Sequence, residues 1–308
     1  MNAVNRLMVG LDLTVMDETL IRYAAFMCSC FPVEKVYFLH VERNLDIPQE
    51  ILLDTGSSHM PADERFCDLL EDKLRPYFEQ LPHVQVRVQV VEGSPLKELL
   101  HWSKVKHIDL IMVGRKFRLK GSGLLPGKLL RTGRVSILFI PENAETVLKR
   151  VVVSIDFSEY STMALEHVLR LTNTQPGIEI ICMHVYQVPP GYITLGISYD
   201  EFDRRMQGFA NEKFERVLER FPELGSHANL RLVKQQQDEV AGELIVLEAK
   251  RAKADLLVIG AKGKSAAALF VLGSTTEKVL RYNDDIPLIV FKKRDEEIGF
   301  LDAIISGD

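Results

Sequence analysis

The sequence lacks the features by which several classes of protein are recognised. It has only four cysteines in 308 residues, with no C-x-x-C pair and no zinc-site spacing, so it predicts neither a disulfide framework nor a metal site. No apolar run approaches the ~18 residues of a membrane-spanning helix. Charged residues interrupt the N-terminal segment where a signal peptide needs its apolar region. We therefore expect a cytoplasmic protein with no membrane contact.

Acidic residues only slightly outnumber basic residues. Lys and Arg number 38 and Asp and Glu number 43, which gives a formal net charge of −5 at pH 7. This balance predicts no nucleic-acid partner. The composition, 46% hydrophobic and 26% charged, is typical of a globular chain, and the length predicts two domains.

The chain contains an internal repeat at an offset of about half its length. Four apolar segments of the first half recur in the same order in the second half. The pairs are Leu7–Asp12 with Val151–Asp156, Val36–Val41 with Ile180–Val185, Asp109–Gly114 with Asp255–Gly260, and Val135–Ile140 with Ile286–Phe291. Four ordered matches indicate a duplicated unit, and the polar stretch 141–149 marks the boundary between the copies.

Each copy alternates apolar runs with segments of helical period. The runs are apolar on consecutive residues, which is typical of strands covered on both faces. The helical segments are Asp17–Cys30, Asp63–Gln80, Pro95–Val105, Glu159–Leu171, Asp200–Phe221 and Glu239–Ala252. This alternation predicts the α/β class, with an open five-strand parallel sheet in each copy. The fifth strand of each copy has a free edge, so we expect the two fifth strands to pair antiparallel in a pseudo-twofold body.

The second copy carries a candidate phosphate-binding segment after its fourth strand. The segment reads G-x2-G-x9-G-S-T, with the glycines at Gly260, Gly263 and Gly273 followed by Ser274 and Thr275. Gly260 is expected to let the chain turn off the strand, and Gly263 to let backbone amides approach an anion. A helix starting at Ser274 would offer free amides, a positive dipole end and two hydroxyls. We call this segment the cradle.

This motif, the strand-one Asp156 and the five-strand unit resemble the universal stress protein family, in its ATP-binding subtype and in tandem. The resemblance covers Leu7–Ile140 and Val151–Phe291. It implies Rossmann-like domains, similar to adenine nucleotide alpha hydrolases, over residues 1–143 and 149–292. It also implies ATP as the cofactor, with the presence of Mg²⁺ left open. By this resemblance Asp156 and Val185 meet adenine and ribose, Ile259 and Gly260 the sugar side, and Gly263, Gly273, Ser274 and Thr275 the phosphates. Asp156 could equally be a helix cap or turn residue.

The first copy departs from this pattern. It keeps Asp12 and Gly114, but Phe117 stands where Gly263 stands in the second copy, and no Gly-Ser-Thr follows. Gly121-Ser122-Gly123 could form an anion nest, although a flexible turn is the commoner outcome. The segment 115–134 has seven basic and no acidic residues, which we interpret as a solvated loop, with a polyanion or acidic partner as the alternative.

Local catalytic signatures are missing, with no G-x-S-x-G and no H-E-x-x-H. Beyond Lys262 and Lys264, no charged residue is clearly placed for phosphoryl transfer, so we assign no catalytic residue. The resulting hypothesis is a nucleotide-dependent regulator or protective factor of the stress response, with an unidentified protein partner. A slow ATP hydrolase or autokinase and a scaffold with an unused cradle are the alternatives. Whether two chains form a homodimer is left open.

Overall fold

The computed structural model describes residues 4–45, 61–116, 124–172, 175, 177–263 and 272–293. The first half contains β1 (Arg6–Leu11), α1 (Met16–Cys30), β2 (Lys35–Glu42), α2 (Ala62–Phe78), β3 (Gln85–Glu92), α3 (Pro95–Val105), β4 (Leu110–Arg115), α4 (Leu124–Thr132) and β5 (Ser136–Pro141). The second half contains β6 (Arg150–Ser154), α5 (Glu159–Thr172), β7 (Glu179–Gln187), α6 (Tyr192–Leu195), α7 (Tyr199–Arg220), a 3₁₀ turn (Pro222–Ser226), β8 (Ala228–Gln235), α8 (Ala241–Arg251), β9 (Leu256–Gly260), α9 (Ser274–Tyr282) and β10 (Leu288–Phe291).

The strands form one ten-stranded sheet in the order β3-β2-β1-β4-β5-β10-β9-β6-β7-β8. Both halves therefore have the same internal order, and their strands pair parallel. The halves join through β5 and β10, which pair antiparallel with Ile289 opposite Leu138. The expected α/β class and the pairing of the fifth strands are confirmed.

Helices cover both faces of this sheet, which explains the continuous apolar strands. Leu138 and Ile289 are fully buried on one face at the junction, in a core cluster that contains residues of both halves. A second cluster covers the opposite face and also draws on both halves. The core is therefore continuous across the junction.

The two halves also match in local structure. The Asp109 carboxylate accepts backbone N–H groups of Asn5 and Arg6 at 3.0 and 2.9 Å, and Asp255 accepts two at the start of β6, at 2.7 and 2.8 Å. The described residues outside glycine with positive φ also fall at matched positions in the two halves. They are Leu13 and His107 in the first half, and Phe157 and Lys253 in the second. Both halves thus have the same aspartate-to-backbone hydrogen bonds at the start of the first strand, and turns with positive φ at the same positions.

Candidate functional site

The expected site residues converge at the carboxyl edge of the second half. Because β9 lies beside β6, the segment after β9 runs next to the residues that follow β6. A Cβ on Gly263 would stand 2.6 Å from Oδ2 of Asp156, closer than any real contact. A side chain at position 263 would therefore displace the Asp156 carboxylate, and glycine leaves this carboxylate in place.

Asp156 also organises the turn that leads into α5. Its Oδ1 accepts the Ser158 N–H at 3.0 Å, and its own N–H donates to Ser161 Oγ at 3.3 Å. The intervening residue, Phe157, has φ of 60°. The alternative role of Asp156 as a turn residue is thus present in the structure. The same side chain presents its second oxygen to Gly263, so the turn role fixes the carboxylate at the site.

The N-terminus of α9 is held against the end of β9. The Gly273 N–H donates to the Ala261 carbonyl at 2.9 Å, and the buried Thr276 Oγ1 donates to the Gly260 carbonyl at 2.9 Å. Gly273 occupies the N-cap, where no side chain accepts a hydrogen bond. The first amides of a helix have no acceptor within the helix, so those of Ser274 and Thr275 are directed to the site. Thr276 was missed by the sequence interpretation, although it directly follows the Ser-Thr pair.

Packing restricts the glycines of the two halves to different degrees. A Cβ on Gly260 would meet the Tyr160 backbone carbon at 2.9 Å, and one on Gly114 would meet Met16 Cγ at 2.6 Å. Gly260 has no positive φ, and its close packing on α5 is the structural reason for glycine at this position. A Cβ on Gly273 would make only ordinary contacts, the nearest at 3.4 Å. Packing among the described residues therefore does not require glycine at 273.

The remaining expected site residues lie on the strands. Val185 is half-buried in β7, whereas Ile259 is buried in the core beneath the site. Contact between Ile259 and a ligand would therefore be through its backbone. His184, in the repeat segment Ile180–Val185, hydrogen-bonds the Ile155 carbonyl through Nδ1 at 2.8 Å, and His40 in the matching segment bonds the Leu11 carbonyl at 3.2 Å. These histidines join the ends of the first two strands of each half, and so position the aspartate that follows.

The matched edge of the first half is built differently. Lys116 forms an ion pair with Asp12, at the position matched to Lys262. Burial disfavours ionisation of Asp12, but its hydrogen bonds to Lys116 and Thr14 outweigh this effect and lower its pKa. Helix α4 begins Leu124-Leu125-Pro126, without a hydroxyl residue. Gly121-Ser122-Gly123, Phe117 and Lys264 lie outside the described residues.

The interpretation of 115–134 as a solvated loop is wrong for Arg115 and Lys116, which are partly buried, whereas Lys128, Arg131 and Arg134 are exposed. Arg131 on α4 forms an ion pair with Glu277 on α9 at 3.1 Å, and Arg115 donates to the Arg281 carbonyl at 3.4 Å. Burial lowers the pKa of Arg115 to about 10. These basic residues join the first half to α9, the helix that begins at the cradle.

In the described part of the chain, no group of three or more His, Cys, Asp or Glu could hold a metal ion. Within the same residues, no helix is both long and apolar enough to cross a membrane.

Comparison with known proteins places the second half in a family. Residues 148–292 match the sequence model of the universal stress protein family, and so form a domain of that family. The universal stress protein MJ0531 of Methanocaldococcus jannaschii is 25% identical over 158 residues, which cover 51% of this chain and 90% of that protein. A second protein of that organism, universal stress protein MJ0577, is 24% identical over 157 residues, 47% of this chain and 96% of its own length.

Solved structures match the fold of both halves together. A universal stress protein from Archaeoglobus fulgidus superposes with a TM-score of 0.63 at 19% identity, covering 96% of this chain and 98% of its own. The protein PA1789 of Pseudomonas aeruginosa, described as functionally unknown, gives 0.65 at 14% identity, over 95% and 94%. At these identities the likeness shows the fold alone.

Proposed function

We propose that the chain is a tandem universal stress protein with domains 1–143 and 149–292, and that the second domain binds ATP. Its output would be regulation or protection in the cytoplasm during stress, through a nucleotide-dependent surface for a protein partner. The observation that carries this proposal is the cradle geometry. Helix α9 is fastened with its N-terminal amides beside the Asp156 carboxylate, at the carboxyl edge where parallel sheets bind ligands.

The residues present fit an adenine nucleotide. The Ser274 and Thr275 amides and hydroxyls can donate to phosphate oxygens, and the helix dipole favours negative charge there. Glycine at 273 leaves this approach open, although packing within the described residues would tolerate a Cβ. Asp156 lies against Gly263, where its carboxylate can accept from a hydroxyl or amino group of the nucleoside.

Binding rather than turnover is the favoured role. Lys262, the cation two residues after β9, has its Nζ 5.5 Å from the centroid of the Tyr160 ring. Among the described residues we find no charged group set to activate a nucleophile at the cradle. A slow hydrolase or autokinase remains the second candidate because Ser274 and Thr275 place hydroxyls at the phosphate position.

For the protein to act as a regulator, nucleotide binding must change a surface that a partner can contact. Helix α9 begins at the cradle and contacts the first half through the ion pair of Glu277 with Arg131. A nucleotide that binds one arrangement of α9 more tightly shifts the population of that arrangement. The surface of α4 in the first half would then differ between the nucleotide-bound and nucleotide-free states of the second half.

Native mass spectrometry of the gently purified chain tests the proposal. We expect bound ATP or AMP, and loss of that mass in Gly273→Asp. A chain that carries no nucleotide and takes up none on addition of ATP would be a scaffold with an unused cradle. Release of ADP over many minutes by the wild type, and its loss in the variant, would favour the slow enzyme.

A further inference from the structure

The first half contains a cavity of about 540 Å³ at its own carboxyl edge. It lies at the ends of β1, β2 and β4, beneath the N-terminal residues of α3 and α4. This volume is within the range of sites that hold small organic molecules, roughly 300–1,000 Å³. The cavity belongs to the half without a cradle, so its occupant is a separate question from ATP binding.

The walls of the cavity are apolar. They are formed by strand and helix residues that include Leu39, Val41, Leu96, Leu99, Val113 and Leu125. Leu99 and Val113 are buried, whereas Leu96 and Leu125 are half-buried and line the space from α3 and α4. Such a lining stabilises an apolar body that displaces water from it.

The charged residues at the cavity are mostly cations. Arg43, Lys116 and Lys128 line it together with one carboxylate, Asp12. Lys116 is only 11% exposed and is neutralised by its ion pair with Asp12. Arg43 and Lys128 are exposed at the rim and supply the excess positive charge. A ligand with one anionic group would therefore place that group at the rim and its apolar body inside.

The same residues disfavour a nucleotide. Pro126 removes one N–H from the first turn of α4, and Leu124 and Leu125 replace the hydroxyl residues of the cradle. Lys116 forms an ion pair with Asp12 at the edge of the cavity. In the described first turn of α4, a polyphosphate would therefore find one amide fewer than at α9 and no hydroxyl group.

We propose that this cavity is a second ligand site, for a small amphiphilic organic anion such as a medium-chain carboxylate. Its apolar walls take the body of the ligand, and Arg43 and Lys128 take the carboxylate. Binding there does not require ATP at the site proposed for the second half.

The test measures binding of octanoate and of octanol to the full chain by calorimetry, and displacement of anilinonaphthalene sulfonate by each. We expect octanoate to bind and displace the dye, and octanol to bind several-fold more weakly because it lacks the charge. Arg43→Gln and Lys128→Gln should each weaken octanoate binding about twofold to fivefold. Lys97→Gln, an exposed change on α3 outside the cavity lining, is the matched control and should leave it unchanged.

Two variants fill the cavity from different helices, so that a folding defect in one does not decide the result. Leu125→Trp and Leu96→Trp should each weaken octanoate binding more than tenfold, and whichever retains the wild-type melting temperature is the informative one. Gly273→Asp should leave octanoate binding intact, which separates this site from the ATP site. The proposal is overturned if octanoate and the dye fail to bind, if octanol binds as tightly as octanoate, or if ATP competes with octanoate at the cavity.

Discussion

Gly273→Asp separates ATP binding from folding. The N-cap has φ of −62° and ψ of 137°, which any residue adopts, and a Cβ there meets its nearest neighbour at 3.4 Å. An aspartate at an N-cap accepts the free amides of the first turn and complements the helix dipole, a gain of a few tenths to about 1 kcal/mol. We therefore expect the nucleotide-free variant to melt at or slightly above the wild-type temperature.

The same carboxylate occupies the place of the phosphates. At about 4 Å and an effective dielectric near 20, two unit charges repel by about 4 kcal/mol, close to a thousandfold in affinity. ATP at about 100 times its Kd stabilises the wild-type domain by about 2.7 kcal/mol, or roughly 5–10 °C in Tm. In the variant this thermal shift should disappear.

Scanning fluorimetry with and without ATP measures both effects. Gly208→Asp on α7 is the matched control, because its Cβ enters open space and it adds the same charge away from the cradle. It should keep the full ATP shift. Gly273→Asn, which caps without the charge, should keep more of the shift than Gly273→Asp. An unchanged ATP shift in Gly273→Asp would refute the phosphate assignment, and a nucleotide-free Tm several degrees lower would refute the capping argument.

The remaining predictions concern stoichiometry, the junction and titration. Calorimetric titration should give one ATP per chain, and two equivalent sites would contradict the assignment to the second half alone. Ile289→Ala should cost about 2–5 kcal/mol, because it leaves a cavity between β5 and β10; a smaller loss in denaturant unfolding would show that the junction tolerates the gap. Burial raises the pKa of Cys28 and Cys182 to about 12, so a thiol reagent at pH 8 should label them only on unfolding, and rapid native labelling would contradict this burial. Despite burial, Lys116 and Thr14 hold the pKa of Asp12 below its ordinary 3.8, so the stability it contributes is present above about pH 4 and lost as pH falls through the folded pKa. Asp12→Asn should remove this contribution to the pH dependence of stability in acid unfolding. An unchanged pH dependence in the variant would contradict the lowered pKa of Asp12.

Much of the fold could be predicted because its signals are local. The repeat, the apolar strands and the helical periods are each contained in short segments, and the helix expected to start at Ser274 begins there in the structure. Pairing of the fifth strands followed from their unpaired edges rather than from any motif. Helix ends were predicted less closely, since the segment expected to reach Gln80 ends at Phe78.

The sequence predicted which residues form the candidate site, but not what each of them contacts. The reason for Gly260 lies in Tyr160, a hundred residues earlier, and the reason for Gly263 lies in Asp156. Likewise, the bond from His184 to the Ile155 carbonyl depends on the pairing of two strands. Contacts between distant segments carry no periodicity, so the sequence could indicate that these residues matter without indicating what each one touches.

The two halves show how one backbone supports two electrostatic environments. In the second half, glycine at 263 leaves the Asp156 carboxylate at the site, and α9 presents amides and hydroxyls. In the first half, Lys116 neutralises Asp12, and α4 begins with apolar residues. Because the Arg131–Glu277 ion pair joins α4 to α9, a ligand that displaces either helix must also act on that contact. Any coupling between the two proposed sites is then reciprocal, so ATP and an organic anion would change each other's affinity by the same factor.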